Sequence, residues 1–115
     1  MFRSSLSLRG IAFIAALMLS GGPALAEDVN SANYMMPGCR ALLDTPGNGS
    51  MAALCAGIIS GLAYRDIDSC PPTGVTGRQM ERVVVQYIDA HPARMHEDFR
   101  ELALEAMKAA WPCKR

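Results

Sequence analysis

No Cys-x-x-Cys pair occurs in this chain, and its only two histidines, His91 and His96, stand five residues apart, a spacing poor for a shared metal. Aromatic residues make up only 6% of it, and no apolar run reaches the ~20 residues a membrane span needs. Lys and Arg form no cluster, which argues against a nucleic-acid or anionic-membrane partner. Gly-x-Gly-x-x-Gly and Walker loops are missing too, and no Ser-His-Asp set stands out. The residues therefore name no catalytic group, no metal ligand and no cofactor.

What is present begins with an export signal. Arg3 and Arg9 precede the nine-residue apolar run 11–19, a Gly-Gly-Pro break and the small-x-small site Ala24-Leu25-Ala26. This pattern predicts a signal peptide over residues 1–26, cleaved after Ala26, and a mature domain over 27–115 in the periplasm. The 89 mature residues carry nine basic and eleven acidic side chains, a net charge of about −2 with His neutral. A chain of that size makes one domain whose core alone gives marginal stability.

Cys39, Cys55, Cys70 and Cys113 therefore read as a disulfide framework. Helical periodicity assigns the rest. The first helix covers 32–43, capped by Ser31 or Asn30 and interrupted or kinked at Pro37-Gly38. A turn-rich loop over 45–50 leads to a second helix over 51–67, with Leu54, Cys55, Ile58, Ile59 and Leu62 as its apolar stripe. Gly57 and Gly61 on that helix predict a close-packed neighbour. Thr76 and Gln79 form a capping box for a third helix, whose core stripe is Met80, Val83, Val84, Tyr87 and Ile88, with Glu81 largely off it. His91-Pro92 is expected to end it and begin the fourth, which buries Met95, Phe99, Leu102, Ala103, Ala106 and Ala110. The fold class is all-α: a small bundle of four main helices stapled by two disulfides.

Helix geometry selects the pairing. Cys55 and Cys70 flank a helix about 20 Å long, beyond the ~7 Å limit between bonded Cα atoms. Cys39 and Cys55 come level across the 45–50 loop, and Cys70 and Cys113 bracket the last two helices. The expected bonds are Cys39–Cys55 and Cys70–Cys113; the remaining option, Cys39–Cys70 with Cys55–Cys113, needs the helices laid out quite differently.

Every candidate for chemistry has a plainer reading. All four cysteines have partners, so none reads as a nucleophile. His91 and His96 diverge by about 140° on a helix. Asp66-x-Asp68 lacks the further oxygens of a calcium loop. Arg94, Glu97, Asp98, Arg100, Glu101 and Glu105 read as a solvated helix face. A binding module, not an enzyme, is the expectation.

Five stretches carry a more specific resemblance: residues 37–43 (PGCRALL), 55–61 (CAGIISG), 70–76 (CPPTGVT), 87–92 (YIDAHP) and 109–113 (AAWPC). In this order and spacing they resemble the Rap/Tai family, small periplasmic immunity proteins against peptidoglycan amidase toxins of type VI secretion. The family often has Tyr where this chain has Ile58, and an aromatic where it has Ser69. The resemblance implies an all-helical, disulfide-linked fold, commonly a homodimer, that blocks an amidase-type effector by occlusion. It carries over the four cysteines and no partner-contacting residue. The alternatives are an acid-stress chaperone of the HdeA type, also exported, helical and disulfide-bonded, and a housekeeping periplasmic protein.

Overall fold

The computed structural model describes residues 27–44, 49–65 and 68–114. Four α-helices occupy them: α1 Ala32–Asp44, α2 Ser50–Arg65, α3 Gly77–Asp89 and α4 Phe99–Ala110. A single 3-10 turn, Pro92–Arg94, lies between the last two. Among the described residues there is no strand, only isolated antiparallel bridges at Ser31–Asp98 and Ser69–Pro112.

Ser31 is the residue that starts α1. Its hydroxyl accepts the Tyr34 N–H at 3.3 Å and donates to the Asp28 carbonyl at 2.7 Å. The helix then runs through Pro37 without a break. Pro37 removes the N–H that would meet the Asn33 carbonyl, but both residues are exposed, so water can take its place. The inward face is Ala32, Met35, Met36, Gly38, Cys39 and Leu42, at the spacing one helix stripe requires.

α1 and α2 form the first hairpin, closed by Cys39–Cys55 with Cα atoms 5.4 Å apart. The close approach is at Gly38. A Cβ there would lie 2.7 Å from the Met51 Cβ and 2.8 Å from its backbone carbonyl atoms. Gly57 and Gly61, the glycines expected to admit a neighbour, face open space instead. Leu54, assigned to the inward stripe, is 46% exposed. α2 is apolar on nearly every side, so periodicity within it does not define which side is buried.

α3 and α4 form the second hairpin, with Cys70–Cys113 joining its two ends at a Cα separation of 4.9 Å. Thr76 caps α3 by accepting the Gln79 N–H at 3.1 Å. Val84, Val85 and Ile88 are buried, and so is Glu81, which the stripe had placed outside.

The fourth helix starts seven residues later than His91-Pro92 implied. Asp98 is its cap, accepting the Arg100 N–H at 2.8 Å. The intervening backbone is committed elsewhere. Ala32 N–H donates to the Glu97 carbonyl (2.9 Å), Asn33 N–H to Met95 (2.7 Å), and Phe99 N–H to Asn30 (2.8 Å). The first N–H groups of α1, which have no partner within their own helix, are thus satisfied by the segment before α4. α4 buries Phe99, Leu102, Ala103, Ala106 and also Met107, while Ala110 is exposed.

The two hairpins share one core, whose largest fully buried side chains include Met36, Ile59, Val84, Ile88, Phe99, Leu102 and Met107. Arg78 reinforces the seam, donating to the carbonyls of Leu42 (3.3 Å) and Leu43 (2.8 Å) at the end of α1. The Arg40–Asp89 pair at 2.6 Å spans it too, but both side chains are nearly half exposed, so it contributes little.

Two stability outcomes are expected. Gly38→Ala should destabilise by about 1–3 kcal/mol through overpacking against Met51. Gly57→Ala and Gly61→Ala should each stabilise by about 0.5–1 kcal/mol through helix propensity. Thermal unfolding checks the contrast, since 1 kcal/mol moves Tm by roughly 4–8 °C in a domain of this size. An unchanged Tm for Gly38→Ala would remove the close-approach argument. Separately, the disulfides close loops of sequence separation 16 and 43, worth about 3 and 4 kcal/mol in the chain-entropy model. Complete reduction of both should abolish the cooperative thermal transition; a melting curve identical to that of the oxidised protein would contradict it.

Candidate interaction surface

From Ser50 to Tyr64, α2 carries no charged residue. Its outward side presents Ala53, Leu54, Gly57, Ser60, Gly61 and Tyr64, all exposed, with Ile58 half-buried beside them. Tyr64 is 96% exposed. The outward sides of α3 and α4 differ, bearing Arg82, Gln86 and Asp89, and Arg100 and Glu101. Leu54 and Tyr64 are the exposed large hydrophobic side chains of the α2 face. Gly57 and Gly61 precede Tyr64 on the same side of the helix, with nothing near the place a Cβ would take at either.

Two hollows adjoin this face or lie apart from it. One of about 30 Å³, the share of a single water, is bordered by Val29, Asn30, Met35, Ile58, Phe99 and Arg100. It sits beside Ile58. The other is an open concavity of about 420 Å³ at the start of α3, lined by Thr76, Arg78, Gln79 and Arg82.

The densest polar cluster ties α3, the 3-10 turn and α4 together. Arg94 grips Glu97 through Nε (2.6 Å) and Nη2 (2.9 Å), and Glu105 through Nη1 (2.7 Å) and Nη2 (2.9 Å). Tyr87 Oη donates to Glu105 at 3.1 Å. His91 stacks on Tyr87 with ring centroids 4.4 Å apart, and its Nδ1 lies 2.6 Å from the Tyr87 carbonyl. A hydrogen bond to that carbonyl requires the proton on Nδ1.

Hydrogen bonds from Arg94 hold the Glu97 and Glu105 carboxyls below their usual range, and Arg94 itself is raised by the same partners, Glu105 first. Arg100 acts likewise on Asp98. A general acid or base works best with a pKa near the operating pH. These carboxylates are ionised and already engaged at neutral pH, which suits fastening rather than proton transfer.

The remaining sequence candidates fall as follows. Cys39 and Cys55 are fully buried, Cys70 is exposed and Cys113 half-buried. His96 is exposed, while His91 is half-buried on Tyr87. Asp68 pairs with Lys108 at 3.3 Å; Asp66 and the cleavage site Ala26 lie outside the described residues. Ser69 is buried, and its hydroxyl has no hydrogen-bond partner among the described residues. Arg94, Glu97 and Glu105, read from the sequence as a solvated face, are a half-buried network; the i, i+3 spacing of Arg94 and Glu97 was the available signal. Nothing in the sequence marked Arg78 as the cap of α1. Among the described residues, no three His, Cys, Asp or Glu side chains gather around a possible metal position, and no helix is long and apolar enough to cross a membrane.

No curated protein and no solved structure matches the chain. A family model described as Rap1a immunity proteins matches residues 31–113, from the cap of α1 to the last cysteine. That span takes in all four helices and both disulfides. The chain therefore belongs to the family of Rap1a immunity proteins.

Proposed function

We propose that this chain is exported, cleaved after Ala26, and acts in the periplasm as an immunity protein that binds a peptidoglycan amidase effector of type VI secretion and occludes it. The family match over residues 31–113 carries this reading. The paired cysteines fit an oxidising compartment. No chemistry on the toxin is required, since occlusion needs only a rigid surface of matching shape. The uncharged side of α2, with Tyr64 at its C-terminal end, is the face we assign to the effector, and a second copy of the chain is the competing occupant.

The test combines binding to the effector, protection of cells that express it, and native mass. Tyr64→Ala and Gly61→Arg should each weaken effector binding at least tenfold, on the scale of an interface anchor, and abolish protection. Thr73→Ala, at an exposed site away from α2, should not. If the α2 variants bind normally and instead dissociate a homodimer, the face belongs to self-association. If the intact protein binds no amidase and protects no cell, the immunity reading fails.

An acid-activated chaperone is the second reading, favoured by the dependence of the Arg94 cluster on ionised carboxylates. Glu97, Asp98 and Glu105 are all held below their usual range, each first by its arginine hydrogen bond. Their stabilisation is therefore complete above the unfolded-chain value of about 4. It is lost as pH falls through the depressed folded values. Tm should be flat from neutrality down to about pH 5 and decline below about pH 4; Glu105→Gln should lower Tm at neutral pH and reduce that acid decline. An immunity protein need not protect other proteins in acid. Suppression of client aggregation at about pH 2–3, below those carboxylate values, would favour the chaperone reading.

A further inference from the structure

The two disulfides occupy opposite environments. Cys39 and Cys55 are both 0% exposed, covered by the α1–α2 contact. Cys70 is exposed and Cys113 half-buried, beyond the end of α4, with Pro72, Pro112 and Lys114 exposed around them. The buried hydrophobic core includes no residue between Cys70 and Thr76 and none after Met107. We propose that Cys70–Cys113 is a thiol–disulfide exchange site, opened in the folded protein by an external thiol or dithiol, while Cys39–Cys55 stays closed until the core unfolds.

Exchange requires a thiolate to reach one sulfur in line with the bond that breaks, so access decides which disulfide reacts. Cys70 is the more exposed partner. The entering thiolate bonds to Cys70 Sγ, the Cys70–Cys113 bond breaks, and its electron pair leaves on Cys113 Sγ. The Cys113 thiolate then takes a proton from water. A second thiolate attacks the external sulfur of the mixed disulfide, releasing Cys70 as a thiol and the reductant as its disulfide. Two electrons pass from the external thiols to the protein.

Opening the bond does not cast the ends adrift. Cys70 N–H donates to the Trp111 carbonyl at 2.8 Å, Ser69 bridges Pro112, and Asp68 pairs with Lys108. Trp111 N–H still meets the Met107 carbonyl at 2.9 Å. These contacts keep the two sulfurs near one another, so reoxidation restores the same bond.

Timed reduction of the oxidised, folded protein with dithiothreitol, followed by iodoacetamide quenching and peptide mass mapping, tests this. Cys70 and Cys113 should be alkylated at least tenfold faster than Cys39 and Cys55, with helical circular dichroism retained. Their rate should rise linearly with dithiothreitol and be indifferent to urea below the unfolding transition, whereas that of Cys39 and Cys55 should climb with urea. With glutathione as a monothiol, the trapped adduct should sit on Cys70. Simultaneous labelling of all four cysteines, earlier labelling of Cys39 and Cys55, or helix loss in step with Cys70 labelling would overturn the proposal. An adduct on Cys113 would overturn the direction of attack.

Discussion

Gly38 lies against the Met51 backbone, so closely that a Cβ would not fit, one residue before a cysteine bonded to α2. Everything else is arranged around that clasp. A domain of this size buries too little surface to hold its helices by packing alone. The bond at Cys39–Cys55 fixes the register of the first hairpin, and Gly38 sets how near α2 can come. Together they make a wall of Met35, Met36, Cys39, Leu42, Ala52, Cys55 and Ile59 against which the second hairpin packs.

Neither disulfide crosses between the hairpins, so that junction depends on noncovalent contacts and the short connection after α2. Its polar part is economical. The N–H groups at the start of α1 bond to carbonyls before α4, and the carbonyls at its other end accept from Arg78. Both ends of one helix are therefore capped by the opposite hairpin. The Arg94 cluster then stiffens the 92–98 connection that supplies the first of these caps. Burying the apolar stripes supplies most of the free energy; these caps set how the hairpins are placed against one another.

Legibility in the sequence followed whether a feature was local. Helix number and type, the Thr76 cap and the register of the cysteines depend on neighbours within a few turns, and were readable. The start of α4 was not, because the backbone of residues 95–97 is claimed by α1, far away in the chain. Nor could spacing separate the useful glycine from the idle ones. Gly57-x-x-x-Gly61 has the conspicuous pattern, yet it is Gly38, beside a proline, that meets another backbone. α2 carries apolar residues on so many sides that Leu54 and Ile59 looked alike, although one is 46% and the other 1% exposed. The uncharged face we assign to a partner was invisible for the same reason.

That ambiguity in α2 itself bears on function. A helix needed only to complete the core would be expected to place charges on its outer side, as α3 and α4 do. α2 forgoes them over 15 residues and leaves Tyr64 in water. Retaining such a face costs solubility, and its side chains are exposed among the described residues. The proposed binding by occlusion supplies a reason: an inhibitor of that kind gains its affinity from area, shape and a few anchored side chains. Rigidity then matters as much as composition, because ordering a loose helix on contact would subtract from that affinity. The disulfide under α2, buried where no thiol can easily reach it, holds the helix in place without help from a partner.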